Sequence, residues 1–449
     1  MKQYDVVVIG AATSGSFFAR KMAEKGYKVK VIEKNTFEKV GTKYDIFHIS
    51  EKEFERFSLP RPHENDKAWA FEFSGGYTCS PTGKYPKRTD EAVVGLHMHE
   101  YTVLMNKWAQ EAGAEIEYGA KFEDLILDDG KIVGIEYEGK DGDQKLYAKT
   151  VVDCSGIDAK ARRKLPESST VENFKLQEDD MFYVILRYIK FKDQNIYLAD
   201  SSNWPFYKSW IAPQPDRNGG IFGIGACHSY DYAESMFEKV EKNIVLPDHD
   251  VIRVEKGKTP YTRPPYSFVD DNFIVSGDAG CLTKPNNGEG VTSSMVQIVI
   301  AADVLDEALK ANDTSKEKLW KINLLYNQQQ GADFASTRAI LTKAVNAKQS
   351  EFEYFFKHVI IFSEKFLGGQ ADGPEVKISL KDVLQIGTGA VAGIATGKLS
   401  FSSLKLLLEG IALGGQLKEH YLKFPETPEG YKEWKEKADE IWATVGKMS

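Results

Sequence analysis

The residues best suited to do chemistry near the start of the chain are small ones. Gly10-Ala-Ala-Thr-Ser-Gly15 follows the apolar run Tyr4 to Ile9 and precedes a helix-like stretch from Ser16 to Lys25. Such a turn lets Gly10, Ala12, Thr13, Ser14 and Gly15 present backbone N–H groups, backed by a helix dipole, to a pyrophosphate. Ala12 stands where the usual GxGxxG pattern has its middle glycine, which adds one methyl at the closest approach. A second apolar run, Lys28 to Ile32, ends at Glu33 and Lys34, with Glu33 lying 23 residues after Gly10. An acid at this point can accept hydrogen bonds from a ribose diol. Strand, turn, helix, strand and acid, in that order, predict a βαβ unit that binds a dinucleotide.

Further glycine motifs follow in the same chain. Val152-Asp-Cys-Ser155-Gly156-Ile-Asp158 closes one apolar strand, Val275-Ser-Gly277-Asp278-Ala-Gly280 closes another, and Pro285-Asn-Asn-Gly288-Glu-Gly290 leads into a helix at Val291. In this order they resemble the FAD-containing reductases and monooxygenases of the p-hydroxybenzoate hydroxylase-like superfamily. The resemblance implies FAD as cofactor, with Asp278 at the ribityl and phosphate region. It also implies that the helix after Gly288 and Gly290 points its positive end at the flavin N1/O2 edge, which favours the anionic reduced ring. Ser155 takes the place of the aspartate in that superfamily's Asp-Gly motif.

The aromatic stretch Trp204-Pro-Phe-Tyr207-Lys-Ser-Trp210-Ile-Ala-Pro213, with Gly219-Gly-Ile-Phe-Gly223-Ile-Gly225 after it, is similar to the substrate-cavity segment of the geranylgeranyl reductase family. Here one extra residue separates Tyr207 from Trp210. With Lys258-Thr-Pro260-Tyr261, the resemblance covers roughly residues 1 to 310. It implies hydride transfer from reduced flavin N5 to a carbon–carbon double bond of an isoprenoid or other hydrophobic substrate, with Tyr207, Trp210 and Pro213 lining an apolar slot. Ordinary sheet-core packing is the other reading of these rings. Family members often carry a cysteine near the flavin; in Gly41-Thr-Lys43-Tyr44-Asp45 that place falls to Asp45. The proton donor therefore stays open among Asp45, His48, Cys79 and His97, each of which has an alternative reading as a solvated or core residue. Met98 stands where many relatives have an arginine near FAD. The rival readings are a monooxygenase or halogenase of the same fold, a flavin electron-transfer protein, and a lipid carrier with a vestigial FAD site.

These residues need a frame that brings distant segments together. At 449 residues, the chain has material for about three domains or lobes. The expected fold class is α/β: an FAD-binding Rossmann-like domain with an inserted β-rich substrate lobe and a helical C-terminal region. Residues 1–170 read as the first FAD-binding part, with an antiparallel meander over 122–152 signalled by Asp129-Gly130 and Asp141-Gly142. Residues 171–265 read as the β-rich lobe, 266–330 as the second FAD-binding part and 331–449 as helical, with breaks at Gly368-Gly369 and Gly414-Gly415. The helical part holds two apolar patterns, one through Leu404, Leu407, Leu408, Ile411 and Leu413 and one through Tyr431, Trp434, Ala438, Ile441 and Trp442.

A net charge of −8 with no basic block argues against nucleic acid as a partner. Four dispersed cysteines offer no zinc or iron–sulfur spacing, so no metal is expected and free thiols in a reducing compartment are. The N-terminus lacks the pattern of a secretory signal, which places the protein in the cytoplasm. The longest uncharged run, Val383 to Gly397, is too short and too polar to span a bilayer. Peripheral membrane contact and membrane association stay open. With no second nucleotide-binding unit, the reductant is expected to be NAD(P)H bound transiently or a ferredoxin-type carrier.

Overall fold

The opening run forms β1 (Gln3–Ile9), and its valines Val6, Val7 and Val8 are wholly buried because neighbouring strands and helices leave it no solvent face. The computed structural model describes residues 3–344, 347–358 and 380–446. β1 pairs in parallel with β2 (Val29–Glu33) through the helix α1 (Thr13–Glu24), and in parallel on its other side with β9 (Gly142–Asp153). β6 (Glu115–Tyr118) and β16 (Phe273–Val275) extend this parallel sheet, and β15 (Val269–Asp270) closes one edge antiparallel. The resulting order is β15-β16-β9-β1-β2-β6. α1 packs against α3 (Met98–Glu111) and α5 (Val291–Lys310). The expected meander is present as β7 (Lys121–Asp128), β8 (Lys131–Gly139) and β9. Its last strand is also a central strand of the parallel sheet, so the meander grows out of the Rossmann-like unit.

The second sheet has the order β14-β10-β13-β12-β11-β4-β5-β3. Five strands come from the segment read as the β-rich lobe: β10 (Met181–Phe191), β11 (Ser201–Trp204), β12 (Ser209–Ala212), β13 (Gly219–Ala226) and β14 (His249–Pro260). The other three, β3 (Ile46–Ser50), β4 (Trp69–Thr78) and β5 (Lys87–His97), lie inside 1–170, the range assigned from the sequence to the first FAD-binding part. This corrects the picture of one inserted lobe. The alternation is hidden there because β4 and β5 slip register at Trp69/Phe71 and Phe73/Gly75.

The two faces of this sheet differ. α4 (Tyr230–Asn243) covers one, packing Phe237 and Met236 against Tyr183, Ile185, Phe222 and Ile224. The opposite, inner face gathers Ile46, Phe71, Leu186, Tyr188 and Ile221, with Tyr44, Phe73, Val184 and Trp210 packed on them. The sheet curls so that its ends meet: Arg253 on β14 donates to Asp45 Oδ2 at 2.7 Å, and Asp45 N donates to Glu255 at 3.2 Å. β3 then runs into α2 (Glu51–Arg56).

The C-terminal region is helical as expected. α6 (Lys316–Leu319) and α7 (Lys321–Tyr326) lead through a π-helical turn, Asn327–Gly331, into α8 (Ala332–Ala344). α9 (Gln349–Lys357), α10 (Leu380–Ala395), α11 (Phe401–Leu422) and α12 (Tyr431–Val445) complete it. The break expected at Gly414-Gly415 is absent, because α11 passes straight through. A Cβ at Gly414 would lie 2.9 Å from Ser336 O, and one at Gly410 3.0 Å from Lys343 Cβ, so these glycines let α11 lie close on α8. Gly368-Gly369 lies outside the described residues. α12 buries Tyr431, Trp434, Ala438 and Ile441. Among the described residues, no helix is long and apolar enough to cross a membrane.

Candidate functional site

Three of the glycine motifs converge at the carboxyl ends of the parallel strands. Gly10 has φ +102°, and a Cβ there would sit 2.4 Å from Cys154 O. A Cβ on Gly15 would sit 1.9 Å from Gly10 O, so the turn closes only with hydrogen at both positions. Gly277, at φ +65°, brings its loop against Ser14, whose Oγ would be 2.7 Å from an added Cβ. Gly156, at φ +77°, faces open space. Ala12 is the exposed N-cap of α1, and no side chain caps that helix start. The N–H groups at Thr13 and Ser14 thus lie at a bare helix N-terminus, an arrangement that fits a pyrophosphate.

Glu33 is buried at the end of β2. Its Oε2 accepts from Ala11 N and its Oε1 from Asn35 N, each at 2.8 Å, which leaves further lone pairs for a diol. Lys34 is exposed, with Nζ 3.6 Å from Asp158. Ser155 Oγ accepts from Lys160 N at 2.6 Å. The carboxylate of that motif belongs to Asp153, buried and tied to Ser155 N at 2.9 Å and Arg162 N at 2.7 Å, where it fixes the loop. Asp278 is partly exposed, 3.9 Å from Lys43 Nζ, and a Cβ on Gly290 would lie 3.4 Å from its Oδ1.

Pro285 is buried, Gly288 takes φ +77° and Gly290 is the N-cap of α5, which begins at Val291. The positive end of α5 is not bare. Glu289 accepts from Thr292 N at 2.6 Å and lies 3.3 Å from Lys284, so an acid already shares the dipole expected to face a flavin.

The inner face of the second sheet starts at this cradle. Phe182 and Val184 stand two residues apart on β10, on the same face. The Phe182 ring lies 3.8 Å from where a Cβ on Gly288 would be. It stacks on Tyr261, whose hydroxyl donates to Pro285 O. From there Val184, Leu186, Tyr188 and Trp210 continue an apolar face. Gly223 accommodates the Trp210 ring, whose Cε2 would be 2.3 Å from an added Cβ, and Gly257 accommodates Tyr44 in the same way.

Two polar atoms on this apolar face are buried without a hydrogen-bond partner: Tyr44 Oη and His48 Nε2. His48 lies between Phe71 and Phe73, with ring centroids 5.7 and 5.5 Å away, and burial pulls it down to about 4, so it is neutral at pH 7. Burial raises the Tyr44 phenol, keeping its proton in place.

The remaining proton-donor candidates are placed differently. Asp45 is held down at about 2, first by the His97 imidazole at 2.9 Å and then by Arg253, and so it is an ionised carboxylate. It ties the ends of the sheet together and has no proton to give at neutral pH; His97 is its partner. Cys79 packs in the α4-side core, where burial pushes its thiol up to about 11. Tyr207 is in that same core, beside Phe206, on the face covered by α4. Trp210 alone of the aromatic pair lies on the inner face, and Pro213 is buried just beyond β12. Sequence reasoning passed over Tyr44 because a tyrosine next to a lysine in a turn carries no motif. The available signal was its position directly before Asp45.

Comparison with known proteins bears on the fold and the cofactor. A family model described as FAD dependent oxidoreductase matches residues 5–160. The digeranylgeranylglycerophospholipid reductase of Sulfolobus acidocaldarius is 26% identical over 99% of this chain and 98% of its own length. Digeranylgeranylglycerophospholipid reductase 2 of Methanopyrus kandleri is 28% identical over 74% of this chain and 84% of its own. Among solved structures, a geranylgeranyl bacteriochlorophyll reductase-like protein from Thermoplasma acidophilum superposes with TM-score 0.70 at 18% identity, covering 88% of this chain and 99% of its own. The myxobacterial chondrochloren halogenase superposes with TM-score 0.61 at 14% identity, covering 94% and 97%; it shares the fold. The chain is an FAD-dependent oxidoreductase with the p-hydroxybenzoate hydroxylase-like fold, similar to the geranylgeranyl reductases.

Proposed function

We propose that this protein reduces carbon–carbon double bonds in an isoprenoid or other long hydrophobic substrate. The observation that carries the reading is the apolar inner face of Val184, Leu186, Tyr188 and Trp210, which begins at the loop of Pro285 and Gly288 and, among the described residues, carries two unpartnered polar atoms; we read it as the wall of a substrate slot. Such walls hold an alkyl chain by burial and exclude water from the reacting carbons. Reduced FAD, when bound, supplies the hydride. Gly10, Ala12, Thr13, Ser14 and Gly15 would hold its pyrophosphate, Glu33 its ribose and Asp278 its ribityl side. Gly156, Gly277, Gly288 and Gly290 would give its rings room.

Tyr44 holds a proton at Oη beside the mouth of the slot and is the group we assign to protonate the second carbon, recovering its proton from water. Residues 46–97 and 181–260 together form the substrate lobe in this reading. A reductant of NAD(P)H or ferredoxin type docks transiently. The substrate's natural phase is a bilayer, and the exposed Phe401, Leu408 and Ile411 on α11 support peripheral membrane contact.

The test is anaerobic incubation of the dithionite-reduced holoprotein with a polyprenyl lipid. A product heavier by two hydrogens per reduced bond is expected. Reoxidation by oxygen with no such product would move the protein to the monooxygenase reading.

A further inference from the structure

A small cavity lies between the segment from Arg263 to Phe268, the π-helical turn and α8, and reaches Thr283 and Pro285 at the back of the glycine loop that precedes α5. Its walls include Tyr266, Phe268, Tyr326, Trp442 and the arginines Arg263 and Arg338. Its enclosed space is that of about one water molecule or one small ion. Phe334, Ala335 and Arg338 recur at helical spacing along the side of α8 that faces it. The turn Asn327–Gly331 also contributes to the wall, and π-turns of this kind tend to occur where a helix must reshape around a site.

The two arginines on the cavity wall are partnered differently. Arg263 is paired, donating to both oxygens of Glu172 at 2.7 and 2.9 Å, which holds that carboxyl at about 2 against its burial. Arg338 is 7% exposed and makes no ion pair among the described residues. Its Nη1 donates to Tyr261 O at 3.0 Å and its guanidinium lies 4.5 Å from the Tyr261 ring centre, while Nη2 is buried without a partner.

The groups that feel its charge are Tyr261, Cys227, Cys281 and Asp180. Burial raises the Tyr261 phenol and both thiols, Cys281 to about 12, so these three are neutral. Asp180 accepts from Gln177 N at 2.9 Å and forms no ion pair with the arginine. Tyr326 Oη, on another wall, is likewise buried; the Gln330 amide lies beside its oxygen, and its proton is given to no acceptor. A buried cation that no carboxylate contacts directly is costly, and a water molecule would satisfy its N–H without neutralising it.

We propose that this cavity binds one small monovalent anion of halide size, held by Arg338 Nη2 with Tyr326 Oη as second donor. The inference is independent of the alkene-reductase reading.

The test uses the holoprotein in gluconate buffer, titrated with sodium bromide at constant ionic strength, with melting temperature as readout. Bromide-soaked crystals supply the position by anomalous scattering. A saturable rise in melting temperature and a bromide peak beside Arg338 are expected. In Arg338→Met the rise should vanish, and in Tyr326→Phe the apparent affinity should fall by about tenfold. If Arg338→Met fails to fold by circular dichroism, the crystal peak and Tyr326→Phe decide the matter. Melting that ignores bromide in the wild type overturns the proposal, as does an undiminished rise in the variants. Stabilisation by inorganic pyrophosphate but not by bromide also overturns it, since the site would then serve a larger anionic group.

Discussion

Glycines crowd both halves of the candidate site, but they make room for different things. In the cofactor cradle a Cβ on Gly10 or Gly15 would strike backbone, Cys154 O at 2.4 Å and Gly10 O at 1.9 Å. In the substrate sheet a Cβ on Gly223 or Gly257 would strike side chains, the Trp210 indole and the Tyr44 phenol, each at 2.3 Å. Backbone held by a parallel sheet cannot give way, whereas a ring can turn or be exchanged for a smaller one. The cradle therefore tolerates one solution, and the slot can be reshaped around another substrate while the fold persists. This gives a physical reason for one fold to be shared with halogenases.

Gly15→Ala tests the rigid side of this contrast and carries the largest expected effect. Flavin content of the purified protein should fall by about tenfold or more, since the loop must open to admit the methyl. No second substitution in a neighbouring side chain should restore it. Retention of full flavin by Gly15→Ala would show that the cradle is not backbone-limited.

Tyr44→Phe comes next. It keeps the ring against Gly257 and removes only the hydroxyl, so the fold and flavin content should be unchanged. Turnover with a polyprenyl substrate should drop by about a hundredfold with little change in KM, the size expected for loss of a general acid. Equal turnover would return the role to His48 or to water.

Gly223→Ala tests the adaptable side. The methyl should cost about 1–3 kcal/mol of stability by crowding Trp210. Adding Trp210→Leu should recover most of it, read as melting temperature, and should shift which chain lengths are reduced. Failure of that rescue would place the slot floor in the same rigid class as the cradle.

The same contrast explains what the sequence disclosed. Gly10, Gly15, Glu33 and Gly277 were legible because backbone sites impose fixed residue types at fixed spacings, and the apolar runs of β1, β2 and β16 are buried strands with no polar face to confuse them. The substrate lobe was legible only in part. β4 and β5 escaped because bulges break their alternation and the charged first half of β5 reads as loop, and β3 because it is only five residues long. Tyr207 and Trp210 looked equivalent in sequence, yet the short turn Pro205–Tyr207, with Lys208 at φ 53°, sends them to opposite faces. Gly414 read as a helix break because one sequence cannot show that Ser336 of another helix occupies the space of its missing side chain.

The smallest expected effect concerns the clasp that holds the curled sheet closed. Asp45 is held at about 2 by His97 and then Arg253, below the roughly 3.9 of an unfolded aspartate. Because the folded value is the lower one, the clasp contributes its full stability above about pH 4 and loses it as pH falls toward about 2. Asp45→Asn should therefore lower the melting temperature at pH 7 by a few degrees and narrow its gap to the wild type on acidification. The carboxylate is partly exposed, so added salt should also shrink the difference. A gap that stays constant from pH 7 to pH 3 would mean that the ends of the sheet are joined by the packing of Tyr44 on Gly257 rather than by charge. The slot would then be closed by the same kind of adaptable side-chain contact that forms its floor.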